Sequence, residues 1–185
     1  MYEEKERSYI CGSAFFIDQL IKIYIYLNLM DVNTVFIEGF LEFSPIFNRN
    51  YSWLDSVFQW GFSRGYHIIT ALIFLAGLIL IYDFLITKKT RHMDKVICLA
   101  FIFGIAGSSC SLIDRLVWNG SLDYIYLVDY FTFDLKDVYL TIFEVLIILS
   151  AILKFKEYKD VDEKRIIREF WAFVKHKYLR VGRKA

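Results

Sequence analysis

Two carboxylic acids separated by thirteen residues, Asp123 and Asp137, have the types and spacing that best suit hydrolytic chemistry in this 185-residue chain. When two carboxyl groups share a site they do not both ionise readily, so one keeps a proton while the other acts as a base on water. Such a pair supports peptide-bond hydrolysis without a metal ion or a cofactor. The structural alternative places Asp123 in a loop and makes Asp137 a helix N-terminal acid favoured by the helix dipole.

Other catalytic schemes find little support in the sequence. A metal site requires clustered ligands, but the three histidines, His67, His92 and His176, are far apart in the chain. The three cysteines lie at or inside apolar stretches without metal-type spacing, which favours buried thiols. No serine has the local sequence of a recognisable nucleophile elbow. The aspartate pair is therefore the candidate chemistry.

The elements that must position this pair are four long apolar stretches. They cover residues 9–30, 66–86, 96–117 and 135–155, in a chain that is 57% hydrophobic and 19% aromatic. A helix needs about 20 apolar residues to cross a bilayer. The sequence therefore predicts an all-α polytopic membrane protein with four transmembrane helices. Asp18 and Lys22 are spaced as an intrahelical pair on the first helix, which lowers the cost of placing both charges in the membrane.

Lysine and arginine are distributed unevenly, which predicts an orientation. Lys88, Lys89, Arg91 and Lys95 crowd the connection between the second and third helices, and eleven Lys/Arg lie between residues 154 and 185. Basic residues concentrate on the cytoplasmic side of membrane proteins. Both termini are therefore predicted to be cytoplasmic, and Asp123 and Asp137 extracytoplasmic. The net charge of +1 leaves no bulk electrostatic argument for a nucleic acid partner.

Two segments outside the helices have patterns of their own. Residues 31–63 alternate apolar and polar positions, which predicts a small extracytoplasmic β element between helices one and two. Residues 156–185 form a basic tail in which Ile166, Ile167, Phe170, Trp171 and Val174 share one helical face, as in an amphipathic helix on the inner leaflet. We therefore expect a membrane domain, residues 1–155, followed by a cytoplasmic tail.

Short polar motifs occur in order along residues 15–155. They are Asp18-Gln19-x-x-Lys22, Asn48, Leu112-Ile113-Asp114-Arg115, Leu122-Asp123-Tyr124-Ile125 and Phe133-Asp134-Leu135-Lys136-Asp137. Each is weak alone, but the ordered set resembles the bacterial lipoprotein signal peptidase family, signal peptidase II.

The resemblance implies a membrane aspartic endopeptidase that removes the signal peptide of diacylglyceryl-modified prolipoproteins, cutting before the lipidated cysteine. Its expected partners are the prolipoprotein and membrane lipid, with no metal, in a bacterial inner (cytoplasmic) membrane. Asp123 and Asp137 would be catalytic. The residues expected to support them or to bind substrate are Asp18, Lys22, Asn48, Ser111, Asp114, Arg115 and Asp134.

The chain also departs from the family pattern. Ser111 and Asp134 stand where the family has asparagine, Lys136 where it has alanine, and Asn50 where glycine is expected. A lysine pointing inward beside Asp137 would favour the ionised carboxylate and disturb proton sharing. A paralogue with altered substrate or no activity is therefore one alternative. Another is a membrane scaffold or binding protein whose polar residues only pair helices.

Overall fold

The chain forms a helical bundle capped at one end by a small sheet. The computed structural model describes residues 2–49, 53–88, 95–118, 120–156 and 162–179. The helices are α1 (Tyr2–Asn28), α2 (Trp53–Phe58), α3 (Arg64–Thr87), α4 (Lys95–Ile113), α5 (Leu135–Leu153) and α6 (Glu163–Lys177), and a π-helical turn, Asp114–Trp118, extends α4. The strands are β1 (Thr34–Ile37), β2 (Leu41–Asn48), β3 (Ser121–Leu127) and β4 (Phe131–Phe133). Asn50, one of the departures from the family pattern, lies outside the described residues.

Helix α4 is the centre of the bundle because it packs against α1, α3 and α5. Its contact with α5 depends on two glycines. A Cβ added to Gly104 would lie 2.8 Å from the ring of Phe143, and one added to Gly107 would lie 2.9 Å from the side chain of Leu140. Small residues at a membrane-helix interface allow the backbones to approach closely. The first turn of α5, with Asp137, is thereby held against the end of α4.

Three helical stretches in the described part of the chain are long and apolar enough to cross a membrane. They are Glu6–Asn28, Arg64–Thr87 and Lys95–Trp118, and these match the first three predicted spans. Their surfaces carry many exposed large apolar side chains, among them Phe16, Ile73 and Leu99, as expected for contact with lipid. Helix α5 is apolar beyond its first turn but carries Lys136, Asp137 and Glu144. Its crossing of the membrane stays a prediction.

The four strands form one antiparallel sheet in the order β1-β2-β3-β4. The predicted β element between the first two membrane helices is therefore present, but it is only half of the sheet. The other half, β3 and β4, comes from the connection between α4 and α5, for which the sequence predicts no strand. Strand β2 pairs with β3 in a register that places Ile46 opposite Asp123, and the register shifts between Phe43 and Ile46. Pro45 lies in this irregular stretch, and proline within a sheet occurs at such irregularities because it has no N–H to donate to the ladder.

The basic tail contains the predicted amphipathic helix, α6, which packs on the end of α3. Phe173 and Val174 are buried against Phe84, and Lys177 lies 2.6 Å from Asp83. Trp171 and Ile167 stay exposed on the remaining apolar surface. The apolar face predicted from the sequence is thus divided between contact with α3 and the surroundings.

Candidate active site

Asp123 lies in β3, not in a loop, and the strand aims its carboxylate inward. The side chain is 3% exposed. Asn48 at the end of β2 donates from Nδ2 to Oδ2 of Asp123 at 3.1 Å. Ser121, two residues before Asp123 and so on the same face of the strand, donates from Oγ to Oδ1 at 2.6 Å. Both oxygens of this carboxylate therefore accept a hydrogen bond.

Asp137 lies in the first turn of α5, where Asp134 is the N-cap. The Asp134 carboxylate accepts from the backbone N–H of Asp137 at 3.2 Å, and the Asp137 carboxylate accepts from that of Asp134 at 3.2 Å. This reciprocal capping box is an acidic version of the usual one. The Asp137 side chain is nevertheless 40% exposed, so the same carboxylate that caps the helix also faces open space.

Lys136 points into the centre of the site, between the two candidate catalytic carboxylates. Its Nζ lies 3.6 Å from Oδ1 of Asp123 and 3.3 Å from Oδ1 of Asp137. Shorter hydrogen bonds run from Nζ to Asp134 Oδ2 at 2.8 Å and to Ser121 Oγ at 2.7 Å. The two departures at 134 and 136 are therefore one ion pair, which adds a negative and a positive charge together.

A second buried lysine, Lys22, lies directly behind this group. Its Nζ is 2.9 Å from Asp18, 2.7 Å from Asp114 and 2.7 Å from Asp134. The predicted pairing of Asp18 with Lys22 is thus confirmed and proves to be part of a larger cluster. Asp18 also accepts a hydrogen bond from the backbone N–H of Lys136 at 3.1 Å, which ties α1 to α5.

The π-helical turn after α4 contributes Asp114 and Arg115. Arg115 donates from Nη1 to the backbone oxygen of Ser111 at 2.7 Å and also contacts the Ser111 hydroxyl. Arg64 at the start of α3 donates to the carbonyl oxygens of Arg115 and Leu116 at 2.8 and 2.9 Å. The carbonyls that the end of the helix leaves unpaired are satisfied in this way. The turn that carries Asp114 is fixed from two sides.

A cavity of about 930 Å³ opens in front of Asp123 and Asp137. Its polar end also includes Ser111 and Arg115. Much of the remaining wall is apolar, with contributions from Ile46, Phe131, Phe133 and Leu140. The two carboxylates therefore lie at the boundary between a polar floor and an apolar recess.

Burial and neighbouring charges shift the pKa values of Asp123 and Asp134, two carboxyl groups of the site that lie outside the helices, in opposite directions. Burial raises the pKa of Asp123, and the nearby Asp134 adds to the rise. Lys136 and the hydrogen bonds from Ser121 and Asn48 lower this pKa without cancelling the rise. Burial would also raise the pKa of Asp134, but Lys136 and Lys22 reverse this and hold it at about 2. Asp134 is therefore a fixed anion, while Asp123 titrates closer to neutral pH than an ordinary aspartate.

Oxygen atoms of Asp123, Asp134 and Asp137 lie within 4.8 Å of one another, close enough in principle to share a cation. The Lys136 ammonium already lies among them and contacts all three carboxylates. These residues therefore do not fit a resident metal ion, because the positive charge that such a trio attracts is supplied by the chain.

The site brings together the residues that the sequence singled out: Asp18, Lys22, Asn48, Ser111, Asp114, Arg115, Asp123, Asp134 and Asp137. Sequence reasoning missed Ser121 as part of the site, and it treated Lys136 only as a departure from a pattern. Ser121 had a usable signal, because two residues of one strand separated by one residue lie on the same face. That signal required β3 to be recognised as a strand.

The chain is similar in sequence and in fold to known proteins. The sequence profile of the family described as "Signal peptidase (SPase) II" matches residues 10–153. A protein of Bartonella henselae named "Lipoprotein signal peptidase" is 28% identical over 151 residues, which cover 78% of this chain and 86% of that protein. Two solved structures described as bacterial membrane enzymes superpose with TM-scores of 0.69 and 0.65, at 21% and 24% identity. These cover 85% and 81% of this chain, and 94% of each solved chain.

Proposed function

Because the chain belongs to the signal peptidase II family, we propose that it is a membrane aspartic endopeptidase that removes signal peptides from diacylglyceryl-modified prolipoproteins. Family membership supports the cleavage of lipoprotein signal peptides as the general activity. The observation that carries the finer proposal is the position of Asp123 and Asp137. The two carboxylates come from different elements, β3 and α5, and both line one cavity with an apolar recess.

The mechanism that we propose is general acid–base hydrolysis. One carboxylate accepts a proton from water while the water oxygen attacks the scissile carbonyl carbon. The oxyanion that forms needs a hydrogen-bond donor, which in the simplest scheme is the second carboxyl group in its protonated form. When the C–N bond breaks, the proton that the first carboxylate took from water passes to the leaving amine. Peptide and water thus give an acid and an amine, and both carboxyl groups return to their starting state.

The apolar recess supports a lipid-modified substrate. Phe131, Phe133 and Leu140 extend the cavity away from the carboxylates, so an acyl chain would contact them while the scissile bond meets Asp123 and Asp137. Binding of the lipid would position the peptide bond, and such positioning supplies much of the rate in a reaction of this kind. Asn48, Ser111 and Arg115 would orient the peptide at the polar end.

We further propose that the chain crosses a bacterial cytoplasmic membrane four times, with both termini in the cytoplasm. Helix α5 has 19 residues and reaches about 28 Å at 1.5 Å per residue. Beyond its first turn it exposes Val145, Ile148 and Ile152, as a lipid-facing helix would. In an Asp129→Cys variant, the new thiol lies in the turn between β3 and β4 and should react with an impermeant thiol reagent added outside intact cells. In a Glu163→Cys variant, the new thiol should react only after the cells are permeabilised.

The activity is tested with the purified chain, in detergent or lipid, acting on a diacylglyceryl-modified prolipoprotein. Asp123→Asn and Asp137→Asn keep the side-chain shape and remove one charge each. Asp129→Asn is the matched control, since Asp129 is exposed and has φ 65°, a conformation that asparagine tolerates. We expect cleavage to be lost in the first two variants and kept in the control.

One observation favours a second candidate, a paralogue with altered substrate or no activity. Lys136 contacts both carboxylates and so alters the proton sharing on which the simplest scheme depends. Failure of the parent chain to cut several lipidated precursors, with the fold intact, would favour this candidate. Cleavage that persists in Asp123→Asn would instead exclude the aspartate pair as the catalytic group.

A further inference from the structure

Lys136 and Ser121 are hydrogen-bonded to each other beside the catalytic pair, and neither has a role in the simplest mechanism. The Lys136 ammonium has three N–H donors and no acceptor. It lies 2.7 Å from Ser121 Oγ, so the serine oxygen must be the acceptor in that contact. The single hydroxyl proton of Ser121 is therefore left to point at another atom.

Three carboxylates compete for that proton, and one is clearly favoured. Oδ1 of Asp123 lies 2.6 Å from Ser121 Oγ, whereas the nearest oxygens of Asp114 and Asp134 both lie at 3.3 Å. The last two carboxylates already receive short contacts at 2.7 Å from Lys22. The Ser121 hydroxyl is thus directed to Asp123, and Asn48 donates to the other oxygen of the same carboxylate.

We propose that Lys136 and Ser121 are positioning residues that fix which member of the pair acts as the base: Asp123 is held ionised, and the shared proton resides on Asp137. This rests on the proposed function of Asp123 and Asp137 as the catalytic pair. Lys136 acts through Ser121, since an ammonium that only donates forces the hydroxyl to donate onward. Two neutral donors on Asp123, at 2.6 and 3.1 Å, then stabilise its ionised form.

Asp134 makes this arrangement possible, because Lys136 alone, 3.3 Å from Asp137 and 3.6 Å from Asp123, would favour the ionised form of both carboxyl groups. The Asp134 carboxylate lies 2.8 Å from Lys136 Nζ and balances its charge. The chain thus keeps the net charge that two neutral residues would give, while gaining a directed donor. The Asp137 carboxyl group faces the cavity, since its side chain is 40% exposed and that of Asp123 only 3%. In the reaction Asp123 takes a proton from water while Asp137 donates a hydrogen bond to the oxyanion. The proton held by Asp123 then passes to the leaving amine, so both carboxyl groups return to their starting states.

We call Lys136, Ser121 and Asp123 the relay. The titration of Asp123 depends on every charged or hydrogen-bonding group around it. The charged and hydrogen-bonding neighbours come from α1, β2, the π-helical turn, β3 and α5: Asp18, Lys22, Asn48, Asp114, Arg115, Ser121, Asp134, Lys136 and Asp137. Ser121 is the one to change first, because removing its hydroxyl alters no formal charge. Ser121→Ala removes a donor to the ionised carboxylate, so Asp123 becomes harder to ionise. Ser121→Thr keeps the hydroxyl and is the matched control.

The experiment uses the full chain in detergent and reads the ionisation of Asp123 directly. The infrared carboxylate signal that differs between the parent and Asp123→Asn is followed against pH, beside the pH profile of kcat/KM for a lipidated precursor. We expect Ser121→Ala to move the midpoint, and the acidic limb of kcat/KM, upward by about one pH unit. Ser121→Thr should restore both.

A second background tests whether Lys136 directs the hydroxyl. Lys136→Met with Asp134→Asn removes both charges, while asparagine still caps α5. In this background Ser121→Ala should shift the midpoint by less than in the parent, because the hydroxyl is no longer forced towards Asp123. An unchanged midpoint in Ser121→Ala, or an equal shift in both backgrounds, would overturn the relay.

The infrared readout keeps the relay separate from the proposed function. If the chain cleaves nothing but shows the expected midpoint shifts, the relay is supported and the proposed peptidase activity is refuted. If the chain cleaves through Asp123 and Asp137 but Ser121→Ala leaves the midpoint unchanged, the peptidase activity is supported and the relay is refuted.

Discussion

Replacing Lys22 with methionine tests whether the buried charge cluster stabilises the fold as its geometry indicates. Lys22 is fully buried, and its ammonium contacts Asp18, Asp114 and Asp134 at 2.7 to 2.9 Å. Methionine keeps most of the side-chain length and removes the charge. Three buried carboxylates then lose a shared cation, and the Lys136 ammonium keeps contacts with only two of them, Asp114 and Asp134.

The expected loss follows from the cost of leaving buried charges uncompensated. Breaking a buried ion pair from one side destabilises a protein by about 3–5 kcal/mol. In a chain of this size each kcal/mol lowers Tm by about 2–4 °C, so the variant should melt about 6–20 °C below the parent. Lys175→Met is the control, because Lys175 is exposed on α6. Thermal unfolding in one detergent, followed by circular dichroism, measures both.

The loss of stability in Lys22→Met should also depend on pH. Lys136 and Lys22 hold the pKa of Asp134 at about 2 despite its burial. The stabilisation from this carboxylate is therefore complete above the pKa of an unfolded aspartate, about 3.9, and is lost as the pH falls towards 2. Without Lys22 the folded pKa rises. The gap in Tm between Lys22→Met and the parent should be full at pH 7 and should narrow below about pH 4.

Two results would refute this reasoning. A Tm of Lys22→Met within about 2 °C of Lys175→Met would mean that the cluster contributes little beyond its own desolvation cost. A gap that stays constant from pH 7 to about pH 3 would mean that the loss comes from packing, since it would not depend on carboxylate ionisation. Adding Asp18→Asn to Lys22→Met should recover part of the stability, because one buried anion is removed.

Three further predictions concern other parts of the molecule. Gly107→Ala should lower the free energy of unfolding by about 1–3 kcal/mol and reduce cleavage, because the added Cβ would press on Leu140 and on the first turn of α5. Gly77→Ala is the control. Its added Cβ meets nothing within 4 Å, so both Tm and cleavage should be kept. Phe173→Ala should release α6 from α3, and proteolysis of the tail should become faster. The variant should still cleave a lipidated precursor. Loss of that activity would show that α6 supports the site. A chelator should leave cleavage unchanged, because Lys136 is the cation among the three carboxylates; inhibition reversed by added metal would contradict this.

The sequence allowed the helices to be predicted well and the sheet only in part. Three helices follow directly from apolar runs of membrane-spanning length, because that signal depends on composition alone. Strand β3 was not predicted, since its pairing partner β2 lies more than 70 residues earlier in the chain and no local pattern encodes that contact. Asp123 therefore lies in a strand and not in the expected loop. Ser121 lies on the same face of that strand and belongs to the site, although it was not predicted.

Side-chain direction was the other limit. Lys136 precedes Asp137 directly, and neighbours in a helix interior do not share a face. At the first turn of a helix the N-cap changes this, because Asp134 folds back over the turn and draws the lysine inward. Sequence reasoning could state the consequence of an inward lysine but had no means of fixing its direction. The ion pair between 134 and 136 shows that the two departures belong together.

The exposure of Asp137 favours the proposed active site over a network that only pairs helices. A structural network gains most when each charged group is buried and fully paired, as Asp18, Lys22 and Asp114 are. Asp137 has partners within the network but keeps 40% of its side chain open to the cavity. A helix-pairing acid gains nothing from such exposure, whereas the proposed hydrogen-bond donor of the pair must be open to the cavity. The buried cluster therefore holds Lys136 in place, and Asp137 is the acid that the network leaves open to the cavity.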